Sequence, residues 1–248
     1  MQAAEYDTLA SVEGRHWWWR ARREILTATI ARFAPRRASG KLRLAEVGCG
    51  SGGNLPALAG FGEVVGGEPS PLALAHLRRA FGDRFKVQQH RIPEPLADDL
   101  DVLCMLDVLE HLEDDAAALR WVATQLAPGG IAVITVPAFA FLWTAQDEAV
   151  HHFRRYTPTQ LARAVPAELE MVHLGCFNTG LFLPILAVRT AMRWLRDRRR
   201  PPTTHLGVPA APINWILYQI FRLERHVVPR WRLPIGVSVL LVARRRPR

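Results

Sequence analysis

The segment LAEVGCGSGG, from Leu44 to Gly53, joins an apolar strand pattern to a turn rich in glycine. Its glycines follow the spacing G-x-G-x-x-G, and a carboxylate, Glu68, follows about 20 residues after the first glycine. Glycine lets the backbone turn sharply and approach a ligand closely, so strand–turn–helix units of this kind bind nucleotide-bearing cofactors. Taken alone, the spacing also fits a purely structural turn. The segment therefore predicts an α/β fold and leaves its ligand open.

Strand and helix patterns alternate on both sides of this turn. Seven strands are predicted, at KLRLAEVG, EVVGGEPS, RFKVQQ, DVLCMLD, IAVITVPA, ELEMVHLGCF and GVSVLLVARRR. Alternation with helices at this pitch indicates a mostly parallel sheet covered on both faces. One continuous helix is predicted over residues 5–34, ending before Pro35. We expect a single domain over 1–248, made of an N-terminal helical lid (1–40), a core (41–177), a helical insertion (178–234) and a last strand with a basic tail (235–248).

The cysteines, the apolar runs and the net charge indicate the compartment and the possible partners of the domain. The three cysteines are widely spaced in apolar runs, which suits reduced core thiols in a cytoplasmic protein. The polar, acidic N-terminus does not resemble a signal peptide, and the longest apolar run, at 180–188, is too short to span a bilayer. The net charge of +9 is concentrated in arginine clusters. These clusters fit either a solvated surface or an anionic partner such as a membrane surface, a phosphate-bearing substrate or nucleic acid.

Three features bear on the ligand of the glycine turn. Glu46 lies two residues before the first glycine, where a carboxylate suits a cationic or amino-bearing ligand and gives a pyrophosphate nothing. The fourth strand leads into LDVLEHLEDD, an acidic turn that contains histidine, and LAPGGIAVITVP follows as helix end, turn and fifth strand. These features favour S-adenosylmethionine (SAM) over a nicotinamide dinucleotide.

The motifs LAEVGCGSGG, GGEPS, MLDVLEHLEDD and LAPGGIAVITVP, in this order, resemble class I SAM-dependent methyltransferases. The resemblance is close over 43–137 and looser over the last two strands. It implies a Rossmann-like seven-stranded sheet whose last strand is antiparallel, with SAM across the carboxyl ends of strands one to four. HWWWRARREIL near the start and WTAQDEAVHHFRRYTP after the fifth strand resemble a bacterial subgroup of this family.

The resemblance also implies which residues contact the cofactor. The turn near the amino-acid part of SAM would consist of Glu46, Gly48, Cys49, Gly50 and Gly52. Glu68, followed by Pro69, would hold the ribose hydroxyls. Leu106 and Asp107 would flank the cofactor at the end of strand four. Gln88 and Gln89 stand where the family often has an acid next to adenine, and this departure leaves the adenine contact open.

Acceptor-side candidates follow strands four and five. His151 or His152 is the predicted general base, with His111 as a further candidate that also fits a packing role. Further substrate-binding candidates are Arg154, Arg155 and Tyr156 in the same loop. In the N-terminal lid they are Trp18 and Arg20, with Arg22 as an alternative to Arg20 near the SAM carboxylate or the acceptor. Asp147 and His151 are four residues apart, but further ligands at suitable spacing are lacking, so we predict no metal site.

The insertion carries an apolar stripe beside a basic stripe that comprises Arg189, Arg193, Arg196 and Arg200. This pattern suits a helix at an anionic membrane surface and equally a helix that caps the domain. INWILYQIFRLE is apolar around most of its circumference and fits core cover, an acceptor pocket or membrane contact. An acceptor that is small or amphiphilic, including a lipid-linked molecule, and peripheral membrane contact are therefore the expected partners.

Three other functions are consistent with parts of the sequence. An NAD-binding oxidoreductase accounts for the glycine spacing but not for Glu46 or the acidic turn. A non-catalytic methyltransferase-like binding module would not need the intact Gly48, Gly50 and Glu68. Nucleic-acid modification is disfavoured, because the chain has no separate RNA-binding domain and LDVL replaces the NPPY-type motif after strand four. The oligomeric state is not predicted.

Overall fold

The computed structural model describes residues 3–38, 40–195 and 207–247, which form a seven-stranded sheet with the order β3-β2-β1-β4-β5-β7-β6. Strand β7 is antiparallel to both of its neighbours, whereas the pairings among β1 to β5 are parallel. The predicted fold class, including the antiparallel last strand, is therefore confirmed. The strands are β1 Leu42–Val47, β2 Gly62–Glu68, β3 Lys86–Gln89, β4 Leu100–Leu106, β5 Leu126–Pro137, β6 Leu169–Phe177 and β7 Ser238–Arg245.

Helices cover both faces of the sheet. Several begin where the sequence carries a start signal: Ser70 and Thr157 cap helices whose next residue is proline, and Asp114 caps a third. Short 3₁₀ turns lie at Leu109–His111, Ala140–Leu142 and Leu223–His226. The helices are α1 Ala3–Arg15, α2 Trp17–Phe33, α3 Leu55–Leu58, α4 Pro71–Phe81, α5 Asp115–Gln125, α6 Ala145–Ala149, α7 Pro158–Ala164, α8 Phe182–Leu195 and α9 Ala211–Arg222.

Two predicted boundaries are wrong. The single helix over 5–34 is two helices, because His16 adopts an extended backbone (ψ 134°) and its Nδ1 accepts a hydrogen bond from the Trp18 amide at 3.1 Å. Histidine is an uncommon N-cap, so no residue at this position predicts a break in the helix. Strand β5 begins at Leu126 rather than Ile131, because Leu126 pairs with Leu100 of β4; the register then shifts over the PGG segment, and regular pairing resumes at Ile131.

Strand β4 shows how the core is divided between the two faces of the sheet. Its residues are all buried, and successive side chains point to opposite faces. Val102, Cys104 and Leu106 belong to the apolar cluster under α2 and α9, and Leu103 and Met105 to the cluster under α5. The continuous apolar run in the sequence is thus explained by burial on both sides.

The described part of the insertion is anchored to α2. The Asn214 side chain accepts a hydrogen bond from the Trp17 amide at 2.8 Å and donates one to the Arg15 carbonyl at 2.9 Å. Phe221 is fully buried against Trp17. Glu224 accepts hydrogen bonds from the backbone amides of residues 178–180, at 2.6–2.9 Å, and so fixes the entry to α8.

Helix α8 is less covered. Most of its described side chains are exposed, and no helix in the described part of the chain is long and apolar enough to cross a membrane. Arg189 of the predicted basic stripe turns inward, donates to the Leu142 carbonyl at 2.7 Å and has its pKa lowered to about 10 by burial. The Arg193 side chain, Arg196 and Arg200 lie outside the described residues.

Candidate active site at the carboxyl edge of the sheet

The glycine turn after β1 has three residues in the left-handed region, with φ of +68° at Gly48, +54° at Gly50 and +79° at Gly52. A Cβ on Gly48 would come within 2.5 Å of Val108, and one on Gly52 within 2.4 Å of Leu77. A Cβ on Gly50 would meet nothing within 4 Å. Gly48 and Gly52 are thus needed for packing. The backbone of Gly50 instead faces open space outside the loop, where a ligand can approach it.

Glu68 ties this turn to the end of β2. Its buried carboxylate accepts hydrogen bonds from the Gly50 amide at 2.9 Å and the Ser70 amide at 3.1 Å. Burial raises its pKa and outweighs the two backbone hydrogen bonds, which act in the opposite direction. The carboxyl group lies beside the open face of Gly50, where a hydroxyl-bearing ligand could reach it.

Glu46 is a second buried carboxyl group, near the end of β1. Its Oε1 accepts a hydrogen bond from Asn54 Nδ2 at 2.7 Å, and its Oε2 has no hydrogen-bond partner among the described residues. Burial raises the pKa of Glu46 to about 8. Leaving a buried polar atom unpaired is unfavourable, so this oxygen fits a ligand that carries an amino group.

Glu46→Gln is expected to be more stable than the wild type at neutral pH. The folded state keeps the Glu46 proton up to about pH 8, whereas a glutamate of ordinary pKa 4.5 releases it earlier. Between these values the unfolded state binds fewer protons, so wild-type stability falls as pH rises, by at most about 1.4 kcal/mol per pH unit. Urea unfolding should show the variant's advantage growing from pH 5 to 8 and then levelling. An advantage independent of pH would contradict this description of Glu46.

The N-terminal helices lie over the glycine turn. Glu13 accepts a hydrogen bond from the Ser51 hydroxyl, and Arg23 donates to the Glu13 carbonyl at 2.8 Å. Arg22 reaches across to Asp107 at 2.9 Å and hydrogen-bonds Thr135. The cavity between α2 and the sheet, which Arg22 lines, has room for about one water molecule. A ligand larger than water could occupy this cavity only if this part of α2, or the Arg22 side chain, moved.

The other predicted lid residues, Trp18 and Arg20, make different contacts from Arg22. Arg20 stacks on the Tyr218 ring at 4.1 Å from its centroid, on the side of α9. Trp18 is half-buried and supports the Arg22 guanidinium, 4.8 Å from the ring centroid. The sequence assigned these side chains to one lid segment. In the structure, Arg22 extends to Asp107 and Thr135, whereas Arg20 contacts α9.

The remaining cofactor candidates divide between core and surface. Cys49 and Leu106 are buried beside the glycine turn, and burial raises the pKa of the Cys49 thiol. Asp107 directly follows β4 with φ +56°, a conformation that is uncommon outside glycine. Gln88 and Gln89 are exposed and donate to the carbonyls of Leu96 (3.1 Å) and Pro69 (3.5 Å), and Pro69 is itself exposed.

A second group of polar residues lies past the ends of β4 and β5. His152 Nδ1 is 2.9 Å from Asp147 Oδ1, and His152 Nε2 is 3.8 Å from Glu110 Oε1. The His111 and His152 rings lie 4.6 Å apart. The histidine-acid cluster, defined here as Glu110, His111 and His152, brings two of the three predicted base candidates together. The third, His151, is exposed, with φ +59°.

The pKa values of the acids and of one imidazole in this region are shifted in different directions. Burial raises the pKa of Glu110 well above its ordinary value, and the negative charge of Asp107 adds to the shift. Burial would also raise the pKa of Asp147, but hydrogen bonding to His152 and the charge of Arg155 hold it below its usual range. Burial and the neighbouring His152 lower the pKa of His111. The region thus combines a carboxyl group of raised pKa, a carboxyl group of lowered pKa and, in His111, an imidazole of lowered pKa.

The predicted acceptor-binding residues of this loop have partners within the protein. Arg155 is buried and binds Asp147 through Nε (2.8 Å) and Nη2 (2.7 Å). Arg154 pairs with Asp115 at 3.1 Å, and the Tyr156 hydroxyl donates to the same carboxylate at 2.9 Å. In this structure they hold the loop to the start of α5 and orient Asp147.

Sequence reasoning missed the contributions of Glu13, Glu110 and Thr135, and it left Arg20 and Arg22 as alternatives. Glu110 lies next to the His111 candidate within the quoted VLEHL segment, so its position after β4 was an available signal. Arg22 lies two residues from Arg20, and the choice between them depends on the break at His16. Thr135 and Glu13 have no local signal, because their roles arise from contacts with distant segments.

Comparisons with known proteins agree with this arrangement. The family model described as a methyltransferase domain matches residues 18–172, more than half of the chain. The ubiquinone biosynthesis O-methyltransferase of Azorhizobium caulinodans is 32% identical over 142 residues, 52% of this chain and 55% of that protein. Its counterpart from Methylocella silvestris is 30% identical over 155 residues, 55% of this chain and 60% of that protein.

Structural comparison supports the fold. A crystal structure of a SAM-dependent methyltransferase from Mesorhizobium loti has a TM-score of 0.57 at 18% identity, over 94% of this chain and 100% of that chain. The match to the two curated relatives spans little more than half of their length. The chain belongs to the methyltransferase domain family. Its class is that of the SAM-dependent methyltransferases with a class I, Rossmann-like fold, and the cofactor of that class is SAM.

Proposed function

We propose that this chain transfers a methyl group from SAM to an oxygen, nitrogen or carbon atom of a small or amphiphilic acceptor. The observation that carries this proposal is the pairing of Gly50 with Glu68 beside the unpaired oxygen of Glu46. Gly50 has no side chain, so the cofactor would lie close to its backbone. Glu68 would bind the ribose hydroxyls, and Glu46 would bind the amino group. Leu106 and Asp107 would flank it, with the exposed Gln88 and Gln89 toward adenine.

The proposal keeps the domain organisation expected from the sequence. Residues 1–40 would act as a lid, 41–177 as the SAM-binding core, 178–234 as the insertion that faces the acceptor or a membrane, and 235–248 as the last strand and basic tail. The HWWWRARR segment and the HHFRRYT loop, which resemble one bacterial subgroup, would contribute Arg22 and His152 to the site.

Bound SAM supplies a methyl group that is already activated by its positive sulfur. The protein's task is therefore to align the acceptor and exclude water. Arg22, which bridges to Asp107 and Thr135, is placed to close the site once the cofactor has entered. An acceptor hydroxyl would lose its proton at the histidine-acid cluster. There His152 engages Asp147 through Nδ1 and directs Nε2 toward Glu110, so Nε2 is the basic atom.

An oxygen acceptor is favoured over nitrogen or carbon. The two curated relatives are named as ubiquinone biosynthesis O-methyltransferases. A hydroxyl needs to lose a proton during methylation, and the ionisable groups of the histidine-acid cluster would be available to receive it. The proposed acceptor is accordingly a hydroxyl-bearing molecule, and a lipid-linked one is suggested by the exposed surface of the insertion.

That surface is apolar along one stripe of α9 and the turn after it. Ile213, Ile216, Ile220 and Leu223 repeat at intervals of 3, 4 and 3, and each is at least 40% exposed. Trp231 is 67% exposed and lies between two exposed arginines, Arg230 and Arg232. The start of α8 adjoins the stripe, because a Cβ on Gly180 would lie 3.5 Å from Ile220. We expect this α9 surface to rest on an anionic lipid bilayer.

Leu223→Glu is expected to weaken binding to vesicles that contain anionic phospholipid by about tenfold or more, because it places a negative charge on the α9 surface. Co-sedimentation measures the bound fraction. The matched control is Leu72→Glu, which alters an exposed leucine (44%) on α4. Equal binding of both variants and the wild type, or no vesicle binding by the wild type, would contradict membrane contact.

The proposed activity is tested by incubating the protein with SAM labelled in its methyl group and an extract separated into lipid, small-molecule, protein and RNA pools. Label is expected in the lipid or small-molecule pool as a base-stable methyl ether. Label in RNA or protein alone would overturn the acceptor assignment. No transfer to any pool, with SAM bound, would favour a non-catalytic binding module.

A further inference from the structure

We propose that the histidine-acid cluster of Glu110, His111 and His152 is a binding site for one divalent transition-metal ion, such as Zn²⁺. One donor atom from each residue lies within 4.8 Å of the other two. Two imidazoles and one carboxylate form a donor set used by catalytic zinc sites, which keep a fourth position open. The sequence predicted no metal site, because the pair considered there, Asp147 and His151, lacked further ligands at suitable spacing.

The donor atoms need only small adjustments to bind one ion. Ligands about 2.1 Å from a tetrahedral ion lie about 3.3 Å from one another. His152 Nε2 is 3.8 Å from Glu110 Oε1, so this pair is already close to that separation. His111 is on the exposed side of the cluster, and its ring would have to give up a hydrogen bond with the His151 backbone to close the remaining gap.

Glu110 is the strongest indication of a bound cation. Its side chain is 0% exposed, and both of its carboxylate oxygens lack a hydrogen-bond partner among the described residues. A carboxyl group buried in this way is costly unless it is paired or coordinates a metal. Arg22 and Arg155 influence Glu110 electrostatically, but neither is hydrogen-bonded to it. A divalent ion at the cluster would give these oxygens the partner that the protein does not supply.

His152 is held as a metal ligand would be. Asp147 Oδ1 lies 2.9 Å from His152 Nδ1, and this contact fixes a tautomer in which the unprotonated Nε2 points toward Glu110. Asp147 is itself held by Arg155 and by the Thr144 amide at 2.8 Å. A carboxylate behind a ligating imidazole is a recurrent second layer of metal sites.

The backbone joins the two halves of the site. The Phe153 amide, next to His152, donates to the Glu110 carbonyl at 2.9 Å. The loop that carries His152 is thus fixed to the turn that carries Glu110 and His111. An ion pair between a protonated His152 and Glu110 is a weaker explanation, because 3.8 Å is too long for a hydrogen bond and leaves both oxygens unpaired.

The chemical consequence rests on the proposed function. An acceptor hydroxyl at the open position would have its pKa lowered by the ion. Its proton would pass to solvent water, the oxygen would form a bond to the methyl carbon, and the bond from that carbon to sulfur would break with its electron pair remaining on sulfur. In that case His152 Nε2 would hold the ion and would not itself accept the proton, which leaves with water.

The test uses equilibrium dialysis of the full chain against Zn²⁺ alone, followed by metal analysis. We expect the wild type to bind one ion per chain, with affinity reduced at least about 100-fold in Glu110→Gln and His152→Ala. Asp147→Asn should weaken binding by about 10- to 100-fold. The control is His151→Ala, which removes the neighbouring exposed imidazole and should retain the ion.

Thermal unfolding of the same samples provides a second readout that does not depend on activity. Zn²⁺ should raise the midpoint of the wild type and of His151→Ala, because the ion binds only the folded cluster, and should leave Glu110→Gln unchanged. Zn²⁺ binding that is equal in the wild type and Glu110→Gln, or absent from a wild type that still binds SAM, would overturn the metal site and leave the proposed function standing. Failure to bind SAM while Zn²⁺ binds the cluster would instead overturn the proposed function.

Discussion

Gly50→Arg should abolish SAM binding while leaving the domain folded. The Gly50 backbone faces open space beside the Glu68 carboxyl group, so an arginine side chain would occupy the position proposed for the cofactor. Because φ is +54°, any side chain there also costs about 1–2 kcal/mol, which a domain of this size can tolerate. We expect the affinity for SAM, measured by calorimetry, to fall by at least about 100-fold, with a circular dichroism spectrum like that of the wild type.

Gly82→Arg is a closely matched control. Gly82 has the same φ of +54° and, like Gly50, nothing within 4 Å of a Cβ. It follows α4 and precedes β3, at the opposite edge of the sheet from the glycine turn. The two variants share the backbone strain and the added charge and differ only in position. SAM affinity should therefore be normal in Gly82→Arg, and an equal loss in both variants would show that the effect at Gly50 is not local.

His152→Ala is the second change with a large expected effect. Removing this imidazole takes away the basic nitrogen that Asp147 orients and opens the histidine-acid cluster. Loss of a positioned group that handles the acceptor's proton lowers turnover by about 10²- to 10⁴-fold. SAM affinity should stay within about twofold, because His152 is separate from the Gly50–Glu68 pair. The measurement is the rate of label transfer to the acceptor pool, together with SAM titration of the same preparation.

The control for this change is His226→Ala, which removes an exposed histidine in the turn after α9. It should transfer the methyl group at the wild-type rate. Unchanged turnover in His152→Ala would place proton removal elsewhere or show that the acceptor needs no base. A loss of SAM affinity equal to the loss of turnover would indicate that His152 acts only by supporting the structure.

The fold was predictable because the apolar strand patterns and the helix-start signals indicate the same α/β architecture. The apolar run of β4 is fully buried between two covered faces, and the Ser70–Pro71 and Thr157–Pro158 signals mark helix starts that the structure confirms. The break at His16 was missed because it depends on an imidazole acting as an N-cap. The early start of β5 was missed because it rests on the pairing of Leu126 with Leu100 of β4, a contact between distant segments that precedes the irregular PGG stretch.

The candidate site was predictable only where function follows from local pattern. The left-handed glycines and the position of Glu68 are consequences of a strand turning into a helix, which the spacing encodes. Contacts between distant segments are not encoded in this way. Arg22 reaches Thr135 across 113 positions, and Asp147 is shared between His152 and Arg155 through the fold of one loop.

Calorimetric titration of the purified chain with SAM and, separately, with NADH tests the central claim most directly. The account predicts one SAM site per chain, with no heat of binding for NADH, because Glu46 and Glu68 suit an amino group and a ribose and offer no site for a pyrophosphate. Binding of NADH without binding of SAM would contradict the account and would instead make the chain a dinucleotide-binding protein.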